Sequence, residues 1–120
     1  MKVIIAGTRT FSDYPLLKKK CDEILRLQKE IEIVSGTCKG ADLLGEQYAK
    51  EKGYPIKQFP ANWDLYKKSA GYKRNEQMAE YADGAIIFWD GVSKGSSHMI
   101  DLAKKQDLKL IVINYNFTPE

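Results

Sequence analysis

The sequence of 120 residues lacks the features that mark membrane, metal-binding and disulfide-stabilised proteins. No stretch approaches the ~20 apolar residues of a membrane span, and no N-terminal apolar run has the length of a signal peptide. Cys21, Cys38 and the single histidine, His98, have no spacing that would hold a metal. We therefore expect a cytoplasmic protein with reduced thiols, no membrane contact, no metal and no bound cofactor.

The sequence also has no large excess of positive or negative charge. The 19 lysine and arginine residues exceed the 16 acidic residues by three, so the formal charge is +3. A nucleic-acid partner requires basic residues gathered on one surface. The basic run 18–20 is instead followed by Asp22 and Glu23, as is typical of a solvated helix face. We therefore do not expect nucleic acid to be the partner.

What the sequence does contain is a regular alternation of short apolar runs and helical segments. The runs span residues 2–6, 31–35, 56–59, 85–89 and 109–113. They are rich in β-branched or aromatic residues and do not alternate strictly with polar ones, which is typical of strands covered on both faces. The βαβαβαβαβ order predicts one α/β domain over residues 1–120, with helices on both faces of a five-stranded, mainly parallel sheet.

Helical periodicity predicts which side chains of the intervening segments face the sheet. They are Leu17, Cys21, Ile24 and Leu25 in the first helix and Leu43, Leu44, Tyr48 and Ala49 in the second. A third helix is predicted near 72–82 and a fourth after the fourth strand. We expect the tail, 114–120, to be an edge extension or loosely ordered.

The loops that leave the strands are the place to look for a site, because ligands of parallel α/β sheets bind at the carboxyl ends of the strands. These loops span 7–13, 36–42, 60–75 and 90–98. Three of them are rich in Gly, Ser and Thr and lead into helix N-termini, which bind anions through backbone N–H groups. With Arg9, Lys39 and Lys94 among them, they predict a phosphate or sugar-phosphate site. The candidate ligand-binding residues in them are Gly7, Thr8, Arg9, Ser35, Gly36, Thr37, Gly40, Asp42, Asp90, Gly95, Ser96 and Ser97.

Two phosphate-binding fingerprints are missing from these loops. No G-x-G-x-x-G follows the first strand, and no G-x-x-x-x-G-K-[ST] occurs anywhere. The sequence therefore predicts neither ordinary dinucleotide binding nor a P-loop NTPase.

The third loop and the helix after it add further candidates. Lys73 and Arg74 lie in the predicted first turn of that helix, where the helix macrodipole disfavours cations. Arg74 is four residues before Met78 and so shares the core-facing side. We expect Arg74 to point toward the ligand edge and bind an anion, and Lys73 to be solvated. Trp63 is a candidate for stacking on a base or lining the pocket.

Four stretches, VSGTCKGAD, FPANWD, AGYKRNEQM and ADGAIIFWDGVSKGSSHM, resemble the SLOG superfamily, named for the Smf/DprA and LOG proteins, and within it the small YspA-like, YpsA-related branch. The resemblance implies a Rossmann-like three-layer fold, binding of nucleotides or nucleotide-derived ligands, and a homo-oligomer. Its motifs map onto Gly7, Arg9, Ser35, Gly36, Gly40, Asp42, Trp63, Arg74, Asn75, Gly95 and Ser96.

LOG proteins release the base from a nucleoside monophosphate, and the chain resembles them in part. Arg74 matches their R-K-x-x-M motif, in which Asn75 replaces the lysine. In the loop that resembles P-G-G-x-G-T-x-x-E, Met99 stands in place of the carboxylate that would stabilise the transition state or activate water. We therefore assign no catalytic residue. Asp42, Asp90 or Asp101 could substitute, but we expect Asp42 to order its own loop or cap its helix and Asp101 to face solvent.

Three functions remain open on the sequence. The first is binding or sensing of a nucleotide or an ADP-ribose-like ligand. The second is hydrolysis of an N-glycosidic bond, as in the LOG proteins. The third is DNA handling, as in the DprA branch, which the modest charge favours least.

Overall fold

Each predicted apolar run forms a strand in the computed structural model, which describes residues 1–115. The strands are β1 (Lys2–Gly7), β2 (Glu32–Ser35), β3 (Ile56–Gln58), β4 (Gly84–Trp89) and β5 (Lys109–Asn114). They form one five-stranded sheet in the order β3-β2-β1-β4-β5, and every neighbouring pair is parallel. The predicted parallel α/β sheet is confirmed. The prediction for the tail falls largely outside the described residues.

Helices connect the strands. They are α1 (Tyr14–Leu25), α2 (Ala41–Lys52), α3 (Trp63–Tyr66), α4 (Ala70–Tyr81) and α5 (Lys94–Lys105), with a 3-10 turn, Lys67–Ser69, between α3 and α4. The Asp13 side chain accepts a hydrogen bond from the Leu16 backbone N–H and so caps α1. Within residues 1–115, none of these helices combines the length and the apolar character needed to cross a membrane.

The two faces of the sheet are covered by different helices. Val3 and Ile5 of β1 pack with α1 and α2, whereas Ile4 and Ala6 pack with α4 and α5. This alternation follows from the two-residue period of a strand. Burying each aliphatic side chain contributes about 1.5–3 kcal/mol. The crossovers from β1 through β2 to β3 run in one direction across the sheet, and those from β3 through β4 to β5 run in the other. Right-handed crossovers therefore place α1 and α2 on one face and α4 and α5 on the other.

The strand order reverses between β1 and β4. These two strands are neighbours, with Gly7 paired to Phe88 at their carboxyl ends, but the chain leaves them toward opposite edges of the sheet. Loops diverging at such a point open a crevice, which is where ligands of this architecture bind. The fold therefore places the loops after β1 and β4 on either side of one crevice.

The prediction for the sheet-facing side of α2 is wrong for Leu43, which is 46% exposed. The cause is the close approach of α2 to β1 at Gly45, where a Cβ atom would lie 2.7 Å from Ile5 Cγ2. Contact through Gly45 turns Leu43 outward and turns Asp42 and Glu46 inward, so both carboxylates are buried. The apolar pattern of α2 alone does not reveal this rotation.

The predicted start of the helix near 72–82 is also wrong. α4 begins at Ala70, directly after α3 and the 3-10 turn, so most of 60–75 is helical rather than a long loop. Arg74 is consequently the fifth residue of α4 and lies beyond its first turn. Because the macrodipole acts mainly within that turn, it does not account for the position of Arg74.

Candidate functional site

The crevice between β1 and β4 contains a cavity of about 340 Å³. It is lined by Ala6, Gly7, Thr8, Arg9, Thr10, Cys38, Asp42, Arg74, Asn75, Met78, Asp90, Ser93, Gly95, Ser96 and Met99. The lining thus combines the loops after β1, β2 and β4 with one side of α4. These are the loops that the sequence placed at one edge of the sheet.

Arg74 is the buried cation of this cavity, with 8% of its surface exposed. Its Nη1 donates to the Gly36 carbonyl and lies 3.5 Å from Cys38 Sγ, while its Nε donates to Asn75 Oδ1 at 2.9 Å. A guanidinium carries five N–H donors. Its Nη2 donates to no protein group in the part of the chain that the structure describes and lies 3.7 Å from where a Gly71 Cβ would be.

Asn75 extends this contact to the other side of the crevice. Its Nδ2 donates to the Gly95 carbonyl at 3.4 Å and lies 3.3 Å from His98 Nδ1. The Arg74–Asn75 pair therefore connects the loop after β2 to the first turn of α5. The buried position of Arg74 is therefore explained by these hydrogen bonds and not by the helix macrodipole.

Asp42, in the first turn of α2, is the buried carboxylate of the cavity. Its Oδ2 accepts a hydrogen bond from the Cys38 backbone N–H at 3.2 Å. Burial raises the pKa of Asp42 from 3.8 to about 6, against the opposing effects of the Cys38 N–H and the positive charge of Arg74. A Cβ atom at Gly36 would lie 2.8 Å from Asp42 Oδ2 and 2.9 Å from Arg74 Nη1, so the loop passes between the two groups because it has glycine there.

The raised pKa of Asp42 predicts a pH-dependent stability. The folded protein binds this proton more tightly than the unfolded chain, so the stabilisation is complete below pH ~4 and is lost as the pH rises through about 6. A shift of about two pKa units corresponds to roughly 3 kcal/mol. The free energy of unfolding of Asp42→Asn, measured in urea, should therefore gain about 3 kcal/mol relative to wild type between pH 4 and pH 8.

A difference between Asp42→Asn and wild type that stays constant over this pH range would contradict the assigned burial of the Asp42 charge.

Asp90 orders the loop that leads into α5. Its Oδ1 accepts the backbone N–H groups of Val92 at 2.9 Å and Ser93 at 2.8 Å, and its own N–H donates to Thr8 Oγ1 at 3.2 Å. The hydrogen bonds from Val92 and Ser93 lower the pKa of the Asp90 carboxyl. Asp90 thus lines the cavity while holding the β1 and β4 loops together.

The N-terminus of α5 faces this cavity without a cap of its own. Among residues 1–115 no side chain caps it, and its first turn has no acidic residue, whereas the first turn of α2 has Asp42. Gly95 and Ser96 of the α5 first turn line the cavity. The first-turn N–H groups of a helix have no intrahelical partner and carry a partial positive charge, so an uncapped end attracts anions.

Several predicted site residues lie around the cavity rather than in its lining. Ser35 donates from Oγ to Glu46 Oε2 at 2.7 Å and accepts the Thr37 N–H at 3.1 Å. Thr37 and Gly40 adopt positive φ values of 66° and 81°. The residues that shape the wall without lining it are Ser35, Gly36, Thr37 and Gly40, while Ser97 lines an adjoining groove.

Trp63 is likewise outside the cavity. It begins α3, is 50% exposed and lines a separate shallow depression with Pro60 and Asn62. Its Cη2 lies 3.8 Å from where a Gly71 Cβ would be, so the ring packs beside the start of α4. Arg74 Nη2 lies 3.7 Å from the same point, so Trp63 is close to Arg74 although it does not line the cavity.

Sequence reasoning missed other parts of the site. Cys38, Ser93 and Thr10 line the cavity, and Glu46 is a second buried carboxylate, 7% exposed, whose Oε1 accepts from Gln58 Nε2 at 3.0 Å. A signal for Glu46 was present, since it follows Asp42 by four residues and so shares its face of α2. Within residues 1–115 no three His, Cys, Asp or Glu side chains are grouped as metal ligands.

The chain is similar to a known protein family in sequence and to a solved structure in fold. A family model described as the YspA, cpYpsA-related SLOG family matches residues 1–66. No curated protein matches the sequence. Among solved structures, DNA processing protein A (DprA) from Streptococcus pneumoniae is similar over 96% of this chain and 59% of its own length, with a TM-score of 0.57 and 20% identity. The chain thus spans well under two thirds of DprA, and the likeness is one of fold.

Proposed function

Because the chain belongs to the YspA, cpYpsA-related SLOG family, we propose that it binds a nucleotide or a nucleotide-derived, ADP-ribose-like ligand in the cavity between β1 and β4. The observation that carries this proposal is the uncapped N-terminus of α5, which shares the cavity with Arg74. Asp90 accepts the N–H groups of Val92 and Ser93 just before this helix, but no side chain of the described residues accepts the N–H groups of its first turn. An anionic group of a ligand would accept them.

The phosphate is assigned to the α5 end of the cavity. There it would accept the N–H groups of the first turn and the hydroxyl of Ser96, which is 6% exposed. Arg9 is exposed and both Arg9 and Arg74 line the cavity, so both can contribute charge-assisted hydrogen bonds. An anion at a helix N-terminus alone gains about 0.3–1 kcal/mol, so the arginines supply a necessary part of the affinity.

The size of the cavity bears on the class of ligand. Ligand clefts enclose about 300–1,000 Å³, and 340 Å³ lies at the small end of that range. The cavity suits the ribose phosphate of a nucleotide, and a larger ligand would extend beyond it. This agrees with the absence of the dinucleotide fingerprint from the sequence.

The experiment that tests this proposal is a thermal-shift panel of nucleoside mono-, di- and triphosphates, cyclic nucleotides and ADP-ribose. We expect at least one of them to raise the melting temperature, because a ligand that binds the folded state at 100 times its Kd stabilises it by about 2.7 kcal/mol. No shift across the panel at millimolar concentration would contradict nucleotide binding.

One observation also favours hydrolysis of an N-glycosidic bond as a second candidate. Asp42 lines the cavity, and its pKa of about 6 suits a group that exchanges a proton near neutral pH. In that reaction the oxygen of water bonds to C1′, the C1′–N bond breaks, and the base leaves with a proton. Free base detected by chromatography with wild type but not with Asp42→Asn would support it, and intact substrate after long incubation would remove it.

DNA handling has no comparable support. DprA is by name a DNA processing protein, but a likeness at 20% identity carries the fold alone. The net charge of +3 on 120 residues gives no strong electrostatic footprint.

A further inference from the structure

A second depression adjoins the cavity and shares the first turns of α5 with it. This groove, of about 710 Å³, is lined by Tyr72, Trp89, Gly91, Val92, Lys94, Ser97, His98 and Asp101. Ser93, Gly95 and Ser96 line the cavity, whereas Lys94, Ser97 and His98 line the groove. These two sets of residues lie on opposite sides of the first turns of α5, so the N-terminus of this helix lies between the cavity and the groove.

Aromatic side chains form one part of the groove. Tyr72 on α4 is 44% exposed and meets the His98 ring edge to face, with centroids 4.5 Å apart and planes at 81°. Trp89, at the end of β4, donates its Nε1–H to the Ser93 carbonyl at 3.0 Å, so its polar atom is already bonded. An exposed tyrosine held by a second ring is a preformed surface for stacking, and stacking is available to any flat ring.

His98 supplies a defined hydrogen-bonding group beside these rings. Arg74 Nε donates to Asn75 Oδ1, which orients the amide so that Asn75 Nδ2 is the donor toward His98 Nδ1. Nδ1 is then the acceptor, and the ring proton sits on Nε2. Burial lowers the pKa of His98, so the ring is neutral at pH 7 with Nε2–H as its one donor.

The groove also offers acceptors. Asp101 follows His98 by three residues on α5 and so lies on the same side of the helix. A flat ring with both donor and acceptor atoms on its edge matches this combination of stacking surface, N–H donor and carboxylate. The nucleobases have these properties, whereas simple sugars and phosphates have no aromatic ring.

We propose that the groove formed by Tyr72, Trp89, His98 and Asp101 binds the base of the nucleotide whose phosphate lies in the adjoining cavity. This inference rests on the proposed function and deepens it. The Arg74–Asn75 pair couples the two subsites, since Arg74 lines the cavity and Asn75 orients His98 in the groove. In this proposal Tyr72 has the stacking role that the sequence suggested for Trp63.

The test is isothermal titration calorimetry of AMP, GMP, CMP, UMP and ribose 5-phosphate against wild type, Tyr72→Ala and Tyr72→Phe. We expect wild type to bind at least one mononucleotide about tenfold or more tightly than ribose 5-phosphate, in keeping with stacking on one aromatic side chain. Tyr72→Ala should reduce that ratio to about twofold and leave the ribose 5-phosphate affinity within about twofold of wild type. Tyr72→Phe should retain the wild-type ratio.

Trp63→Ala is the matched control, because Trp63 is an aromatic residue of similar exposure outside both spaces. It should leave the ratio unchanged. Equal affinity for ribose 5-phosphate and all four mononucleotides in wild type, or an equal loss for both in Tyr72→Ala, would overturn the base subsite while leaving phosphate binding intact. Absence of binding by all five compounds would overturn the base subsite, whereas the proposed function would be overturned only if the whole nucleotide panel also gave no thermal shift.

Discussion

Replacing Arg74 with alanine is expected to abolish nucleotide binding and to lower the free energy of unfolding by at least about 1–3 kcal/mol. The stability loss arises because the buried Gly36 carbonyl and Asn75 Oδ1 lose their donor. The binding loss arises because the cavity loses its buried cation and because Asn75 no longer holds Gly95 and His98 in place. Urea denaturation and calorimetry measure the two effects separately.

The pKa of Asp42 distinguishes the loss of the Arg74 charge from general damage to the fold. The charge of Arg74 now opposes the effect of burial, so its removal should raise the pKa of Asp42 further. The pH at which stability falls should shift upward in Arg74→Ala relative to wild type. Arg74→Lys should restore part of the stability and less of the binding, because an ammonium group cannot make the same set of directed hydrogen bonds.

Lys73→Ala is the matched control, since Lys73 is the adjacent cation on the same helix and is exposed. Its stability should stay within about 0.5 kcal/mol of wild type, as for most surface substitutions. If Lys73→Ala weakened binding as much as Arg74→Ala, the affinity would depend on overall charge and the role assigned to Arg74 would be wrong.

Replacing Gly40 with alanine is expected to cost about 2–6 kcal/mol, the sum of backbone strain and overpacking. Gly40 precedes α2 with φ 81° and ψ −130°, a conformation that residues with a Cβ avoid. Its Cβ would lie 2.3 Å from the Thr8 carbonyl oxygen and 2.5 Å from that of Arg9. Both are backbone atoms of the β1 loop, so they cannot move aside without distorting the cavity wall.

Gly53→Ala measures the cost of backbone strain without the steric clash that Gly40→Ala adds. Gly53 ends α2 with φ 76°, also in the left-handed region, but a Cβ there meets no atom within 4 Å. Its cost should be about 1–2 kcal/mol, with ligand affinity unchanged. Equal stability losses for the two variants in thermal or urea unfolding would show that the loops after β1 and β2 do not pack as closely as described.

The architecture could be predicted from the sequence because its signals are local. A strand buried on both faces needs β-branched or aromatic residues along its whole length, and the five runs have them. Strand order needed the structure, because pairing between β1 and β4 joins residues far apart in the chain. The exposure of Leu43 was unpredictable for the same reason, since it depends on how closely Gly45 approaches Ile5 across elements.

Part of the candidate site could likewise be predicted from local spacing, and the rest depends on contacts between distant residues. The four-residue spacing of Arg74 and Met78 correctly predicted that Arg74 lies on the core side of α4. The dipole argument for it was wrong because α3 and the 3-10 turn move the start of the helix back to Ala70. Those same turns place Trp63 outside the cavity. Glu46 was missed because its partners, Ser35 and Gln58, lie on two different strands.

The central claim, that a ligand binds at the first turn of α5, is tested most directly by calorimetry of Gly95→Phe. A Cβ at Gly95 would meet no atom of the described residues within 4 Å, so the substitution causes no clash at the Cβ, and we expect stability to stay within about 1 kcal/mol of wild type. The account predicts that the best ligand of the nucleotide panel binds wild type and binds Gly95→Phe at least about tenfold more weakly, a loss of about 1.4 kcal/mol or more. Equal affinity for the folded variant and wild type would contradict it.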